Sequence, residues 1–233
     1  MFMIVKVDKN IWIVEGNCVS FYGFSYPTRS VIVKLENNEL WIWSPIELSQ
    51  TLKSEVAAIG QPKHLVSPNK LHHLFLKEWA EAYPTASLWG PQSTIIKKPD
   101  LHFEYPLEHN TPTEWKKDID QVWFNGSRAM DEIVFFHKPS RTVIMADLSE
   151  NFSEHFIKAN WSFWQRVLAR LWGIVEGKGY APLEWRLSFN REKTRQTKNK
   201  MLAWNPEKVI MAHGEWQNEN GRAFLEKSFE WVK

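Results

Sequence analysis

Cysteine is almost missing: Cys18 is the only one in 233 residues, which excludes an intrachain disulfide and a thiolate metal cluster. No apolar run approaches the length needed to span a bilayer, so no membrane partner is expected. The opening stretch, MFMIVKVDKNIWIVEG, carries Lys6, Asp8 and Lys9 where a secretory leader needs unbroken apolar residues. A cytoplasmic location is the resulting expectation. The net charge is only +2, without the basic stripe of a nucleic-acid binder, and no such partner is expected. The one basic stretch, Arg191 to Lys200, reads as a solvated helix face. Familiar catalytic signatures are missing too. No serine lies in G-x-S-x-G, no glycine-rich loop runs into Lys-Ser or Lys-Thr, and no G-x-G-x-x-G opens a helix.

What is present is ordinary globular composition, 43% hydrophobic and 24% charged, enough for a single domain over 1–233 with its own core. Aromatics are the unusual surplus, with 14 Trp and 14 Phe. Packing explains most of them, and a minority can line a pocket or form an interaction face, which leaves homo-oligomerisation open.

Strand-like runs fill the first 45 residues: Ile11–Val14, Val19–Phe24, Ser30–Leu35 and Leu40–Trp43, with a turn at Glu36–Asn38. Ser49–Ile59 has Leu52, Val56 and Ile59 at helical spacing and stops at Gly60. A short strand at His64–Val66 leads through Ser67-Pro68-Asn69 into a helix carrying Leu71, Leu74, Phe75 and Trp79. Residues 97–118 read as a surface loop. Glu132–His137 and Thr142–Ala146 form a hairpin that is apolar on both faces. Helices are expected over Glu154–Val175, Arg191–Trp204 and Arg222–Val232, with a last strand at Val209–Met211. This order predicts an α/β four-layer αββα sandwich, two mixed β-sheets flanked by helices.

Three places put ligand-type residues at strand ends. Ser67-Pro-Asn-Lys-Leu-His72-His73 follows a buried strand, Thr142-Val-Ile-Met-Ala-Asp147 ends on a carboxylate, and Lys208-Val-Ile-Met-Ala-His213-Gly214 ends on an imidazole. Three imidazoles and a carboxylate would suit zinc or iron. Alone, each is equally a surface pair, a helix cap or a turn. His64, His102, His109, His137 and His155 lie at the wrong strand ends or in polar segments and are excluded.

Taken in order, the three places resemble the metallo-β-lactamase superfamily. Its pattern is H-x-H-x-D-H after an early strand, then a His in a Gly-containing turn, an Asp, and a late His. Phe21-Tyr-Gly-Phe, Ser44-Pro-Ile, Ser67-Pro-Asn-Lys and His72-His-Leu-Phe-Leu are more similar to a divergent branch of it, known only as a domain of unknown function. The resemblance puts Pro68 and Lys70 at the first two histidines, His72 at the aspartate, His73 at the next histidine and Ser127 at the turn histidine. Asp147 and His213 match. It thus implies that the first metal position is lost and that His72, His73, Asp147 and His213 would hold one zinc or iron ion. Asp147 and Lys70 would be the catalytic residues, with Lys70 the electrostatic assistant of a hydrolase acting on a small-molecule substrate. The alternative is a metal-free, non-catalytic protein that binds a small ligand on the same fold.

Overall fold

The computed structural model describes residues 3–232. The first half runs β1 (Ile4–Asp8), β2 (Ile11–Glu15), β3 (Val19–Phe21), β4 (Phe24–Tyr26), β5 (Arg29–Lys34), β6 (Glu39–Trp43) and α1 (Gln50–Ile59). Then come β7 (Gln61–Val66), α2 (Leu76–Ala82), β8 (Ser87–Trp89) and α3 (Gln92–Lys97). The second half runs β9 (Ile119–Phe124), β10 (Glu132–His137), β11 (Thr142–Met145), α4 (Glu154–Asn160) and α5 (Phe163–Trp172). It closes with α6 (Leu183–Ser188), α7 (Arg191–Ala203), β12 (Lys208–Met211) and α8 (Gly221–Ser228).

Two mixed sheets form. The first has the order β1-β2-β5-β6-β7-β8, antiparallel as far as β6 and parallel from β6 to β8. The second has the order β12-β11-β10-β9, with β11 and β12 parallel. Trp41, Trp43, Val66 and Trp89 of the first sheet meet Ile133, Phe135, Ile144 and Ile210 of the second in a core between them. The first sheet's outer face packs on Leu52, Val56, Leu76 and Trp79 of α1 and α2. The second packs on Met201 of α7, Leu225 of α8 and Phe229, which caps α8. This is the expected αββα sandwich. Full burial of such side chains contributes roughly 1.5–3 kcal/mol each. The indoles of Trp41, Trp89 and Trp115 have no hydrogen-bond partner among the described residues and meet edge-to-face, Trp89 and Trp115 with centroids 4.7 Å apart.

Local chemistry corrects several boundaries. The single helix expected over Glu154–Val175 is two, because Ser162 and Gln165 form a capping box that starts α5 after Trp161 leaves helical geometry. The stretch Val19–Phe24 is a hairpin, β3–β4, turned by Tyr22 and Gly23, both with positive φ. The helix expected from Leu71 starts only at Leu76. Ser67 donates through one hydroxyl to the carbonyls of Asn69 and His72, so the 70–75 segment stays a turn. Residues 97–118 are more than a surface loop, since they bury Phe103, Leu107 and Trp115. The closing helix ends at Ser228, short of Val232. No helix among the described residues is long and apolar enough to cross a membrane.

Candidate metal centre

The repeated Val-Ile-Met-Ala has a structural purpose. Strands β11 and β12 run parallel with Val143 beside Val209 and Met145 beside Met211. Two residues on, Asp147 and His213 therefore leave the sheet at the same rim. His72 reaches that rim from the turn after β7, and the Ile133 amide donates to the Pro68 carbonyl at 2.9 Å, tying the two sheets together there. The nearest ligand atoms of His72, Asp147 and His213 all lie within 4.8 Å of one another. His72 Nε2 stands 3.2 Å from Asp147 Oδ2, and His213 Nε2 stands 3.2 Å from Asp147 Oδ1.

Each group is braced from behind. His213 Nδ1 lies 2.7 Å from the Pro27 carbonyl, which can only accept, so this nitrogen carries the proton. His72 Nδ1 pairs with Ser44 Oγ at 2.8 Å. Ser44 sits at φ +47, a conformation that costs a non-glycine residue roughly 1–3 kcal/mol. Asn69 Nδ2 donates to Asp147 Oδ2 at 2.8 Å and to Glu132 Oε2 at 3.1 Å. Glu132 in turn accepts the backbone N–H of Ala146 at 2.7 Å and of Asp147 at 2.9 Å. The guanidinium of Arg29 donates to the carbonyls of Met211 and Gly214, on either side of His213.

These surroundings separate three buried carboxyl groups. Burial alone would raise Asp147, but the charge of His72 and hydrogen bonds from His213 and His72 outweigh it and hold the carboxyl well below its usual range. Burial, then the Asp147 charge, push Glu132 up to about 8 against its N–H donors. The same two causes raise Glu150 well above its ordinary value, with Tyr26 Oη donating to it at 3.3 Å.

The trio sits in a cavity of about 790 Å³, whose walls include Phe24, Phe75, Trp172 and Trp185. Lys70 and His73 line it as well. His73 stands outside the group of converging ligand atoms. Its imidazole is shifted down by burial and by Lys97 and Lys98. The Lys70 ammonium donates to the Ala129 carbonyl. Ser127 accepts the N–H of Ala129 and Met130, as a turn cap. Of the excluded histidines, His137 is buried at the far end of the β10–β11 hairpin against Ser140, and His64 lies between the sheets beside Trp115. Sequence reasoning missed Asn69, Glu132, Arg29 and Glu150. A glutamate opening an otherwise apolar strand and an asparagine within the strand-to-turn step were the available signals for the first two.

Residues 8–160 match the profile of DUF4336, a domain of unknown function. That is well over half of the chain, and the chain belongs to this family. No curated protein matches it in sequence. Among solved structures it is similar to the DIM-1 metallo-β-lactamase, with 14% identity and a TM-score of 0.67 over 99% of this chain and 96% of that one. FIM-1 from Pseudomonas aeruginosa, in its mono-zinc form, gives 11% and 0.63 over 99% and 94%. The metal-soaked flavodiiron core of Flv1 from Synechocystis sp. PCC6803 gives 10% and 0.65 over 99% of this chain and 60% of that one. The fold is that of the metallo-β-lactamases.

Proposed function

We propose that this DUF4336 member holds one transition-metal ion, zinc or iron, on His72, Asp147 and His213 and hydrolyses a small or medium-sized ester, amide or phosphoester. The observation that carries this reading is the bracing behind the ligand atoms. With Nδ1 of His213 committed to Pro27, its Nε2 is the nitrogen free to bind an ion. Asp147 is oriented by Asn69, and Glu132 holds the Asp147 backbone. Metal-binding imidazoles and carboxylates characteristically need such outer partners. Two imidazoles and one carboxylate suit zinc or iron and leave coordination positions towards the cavity. A bound ion would lower the pKa of its water and polarise the scissile bond. The chain's own residues supply the rest. Aromatic walls take the body of the substrate and exclude water. Lys70, tethered to Ala129, sets a fixed positive charge on the wall that orients an anionic group or steadies developing oxyanion charge. His73 serves in this reading as a wall residue, and the ligand set is three rather than four.

One observation favours a second reading. Both Nε2–Asp147 distances are 3.2 Å, within hydrogen-bond reach, so protons alone can close the triad and leave a metal-free ligand-binding cavity.

Elemental analysis of protein purified without chelator separates the two. The hydrolase reading expects about one zinc or iron per chain. Asp147→Ala and His213→Ala should lose both the ion and any turnover of a panel of chromogenic esters, amides and phosphodiesters. A folded chain that neither retains nor takes up zinc or iron refutes it.

A further inference from the structure

Among the described residues the four most exposed large apolar side chains, Tyr22, Leu187, Trp164 and Leu171, all lie on elements that rim the cavity. Tyr22, at the tip of the β3–β4 hairpin, is 90% exposed, and Leu74, in the turn after His73, is 57% exposed. On α5, Trp164 and Leu171 are each 73% exposed, and on α6 Leu187 is 75% exposed. Both helices also send an aromatic ring, Trp172 and Trp185, into the cavity wall, so crest and lining are continuous. Trp164, Leu168 and Leu171 recur at i, i+4 and i+7 and share one helix face, whereas the only fully buried residue of α5 is Ala169. The projection is firmly mounted. A capping box starts the helix, Gln165 Nε2 donates to the Gly23 carbonyl at 3.0 Å, and Trp172 stacks on Phe24 at 6.3 Å.

We propose that this crest docks the protein on an anionic lipid surface, with the cavity mouth opening onto the leaflet. Helix α5 carries Arg166 and Arg170 and no acid of its own, Arg170 reaching Glu154 of α4. Lys70 and Lys97 stand at the cavity wall beside Leu74. Trp164 and two leucines on one face of a helix with arginines behind them match the make-up of a helix lying in the membrane interface. The shape argues for lipid over protein. The crest is a set of separate tips around an opening, and a rigid partner or second copy seated on them would close the mouth. A fluid leaflet accommodates separate tips and leaves the cavity supplied with lipophilic molecules. The expectation of no membrane partner came from the lack of a spanning run, and an interfacial helix needs none. The docking does not depend on a bound metal, so the elemental analysis above and the test below succeed or fail independently.

The test is flotation of the full chain with vesicles of phosphatidylcholine containing a minority of phosphatidylglycerol, against phosphatidylcholine alone. The chain should float with the anionic vesicles and release as salt is raised. The double variant Trp164→Glu/Leu171→Glu should bind at least about tenfold more weakly. Val5→Glu, on the remote edge strand β1, should float as the parent does. Circular dichroism and thermal melting confirm that each variant is folded, and these exposed positions should leave the melt unchanged. No flotation with anionic vesicles overturns the proposal, as does unchanged flotation of the double variant. So does a dimer in sedimentation that the same two substitutions dissociate, because the crest would then be occupied by a second copy.

Discussion

Asn69→Asp changes one amide nitrogen to oxygen at constant size, at the point where two carboxyl groups meet. Asn69 is fully buried, and its Nδ2 serves both Asp147, at 2.8 Å, and Glu132, at 3.1 Å. Two hydrogen bonds vanish, at roughly 1.5–3 kcal/mol for the one to the Asp147 carboxylate and about 0.5–1.5 kcal/mol for the one to Glu132, whose pKa of about 8 keeps it mostly protonated near neutral pH. A new carboxylate also faces Asp147, and two unit charges about 4 Å apart repel by about 4 kcal/mol at an effective dielectric constant near 20. The sum approaches the whole stability of many domains, so the folded variant takes up a proton instead, which caps the loss. We expect about 3–6 kcal/mol of destabilisation near neutral pH. The group that takes the proton has a folded pKa raised above its unfolded value. Its contribution is therefore fully present below the unfolded value, near about 4, and is lost as pH rises towards the raised one. Urea denaturation of chelator-treated protein from acid to neutral pH reads this directly. Asn69→Ala, which loses the bonds without adding charge, isolates the repulsion. A variant within about 1 kcal/mol of the parent near neutral pH, with the parent's pH slope, would show that Asn69 does not bridge the two carboxyl groups.

Gly214→Ala should cost at least about 3 kcal/mol in urea denaturation, because φ is +82 and a Cβ would stand 2.3 Å from the Asn151 carbonyl oxygen. Ser44→Ala removes the partner of His72 Nδ1, and zinc titration should show affinity about tenfold weaker with stability little changed. His137 is a pH-sensitive liability far from the site: burial pushes its imidazole down to about 4 from an ordinary 6.5. Above 6.5 neither state binds the proton. As pH falls from 6.5 towards about 4, the unfolded chain binds a proton that the fold refuses, and stability drops by roughly 3 kcal/mol. His137→Asn should lose that part of the acid slope, and an unchanged slope would refute the assignment.

The layers were legible because apolar periodicity reports on burial, and each sheet of this sandwich is buried on both faces. The capping box Ser162-x-x-Gln165 was equally readable and marks the break that a continuous apolar pattern over 154–175 conceals. The paired strand ends were visible as a repeated motif. Their parallel register, which sets Asp147 beside His213, was not, since register is a three-dimensional relation. Glu132 looked like the polar start of a strand. Only the antiparallel ladder that pairs Phe135 with Ile144, continued three residues, sets it opposite Asp147. The exposure of the apolar stripe on α5 was not legible for the same reason: spacing identifies a face without saying what covers it.

Charge explains why the proposed centre should hold a single ion. Asp147 is the only carboxylate in the converging group, with His72 at the position where the superfamily pattern has an aspartate. Of the two other buried carboxyl groups, Glu132 has both oxygens engaged by N–H donors, and Glu150, on the cavity wall, is raised well above its ordinary value by burial and accepts from Tyr26 Oη. One divalent ion with one carboxylate already leaves a net positive charge in a largely apolar cavity. A second ion would add two more beside the Lys70 ammonium, with Pro68 offering no ligand atom and Ser127 spent on its turn. Unpaired charges of one sign in such surroundings are strongly disfavoured. Titration with zinc should therefore saturate at about one ion per chain, and a second ion bound at comparable affinity would show that the site draws on a carboxylate outside this group.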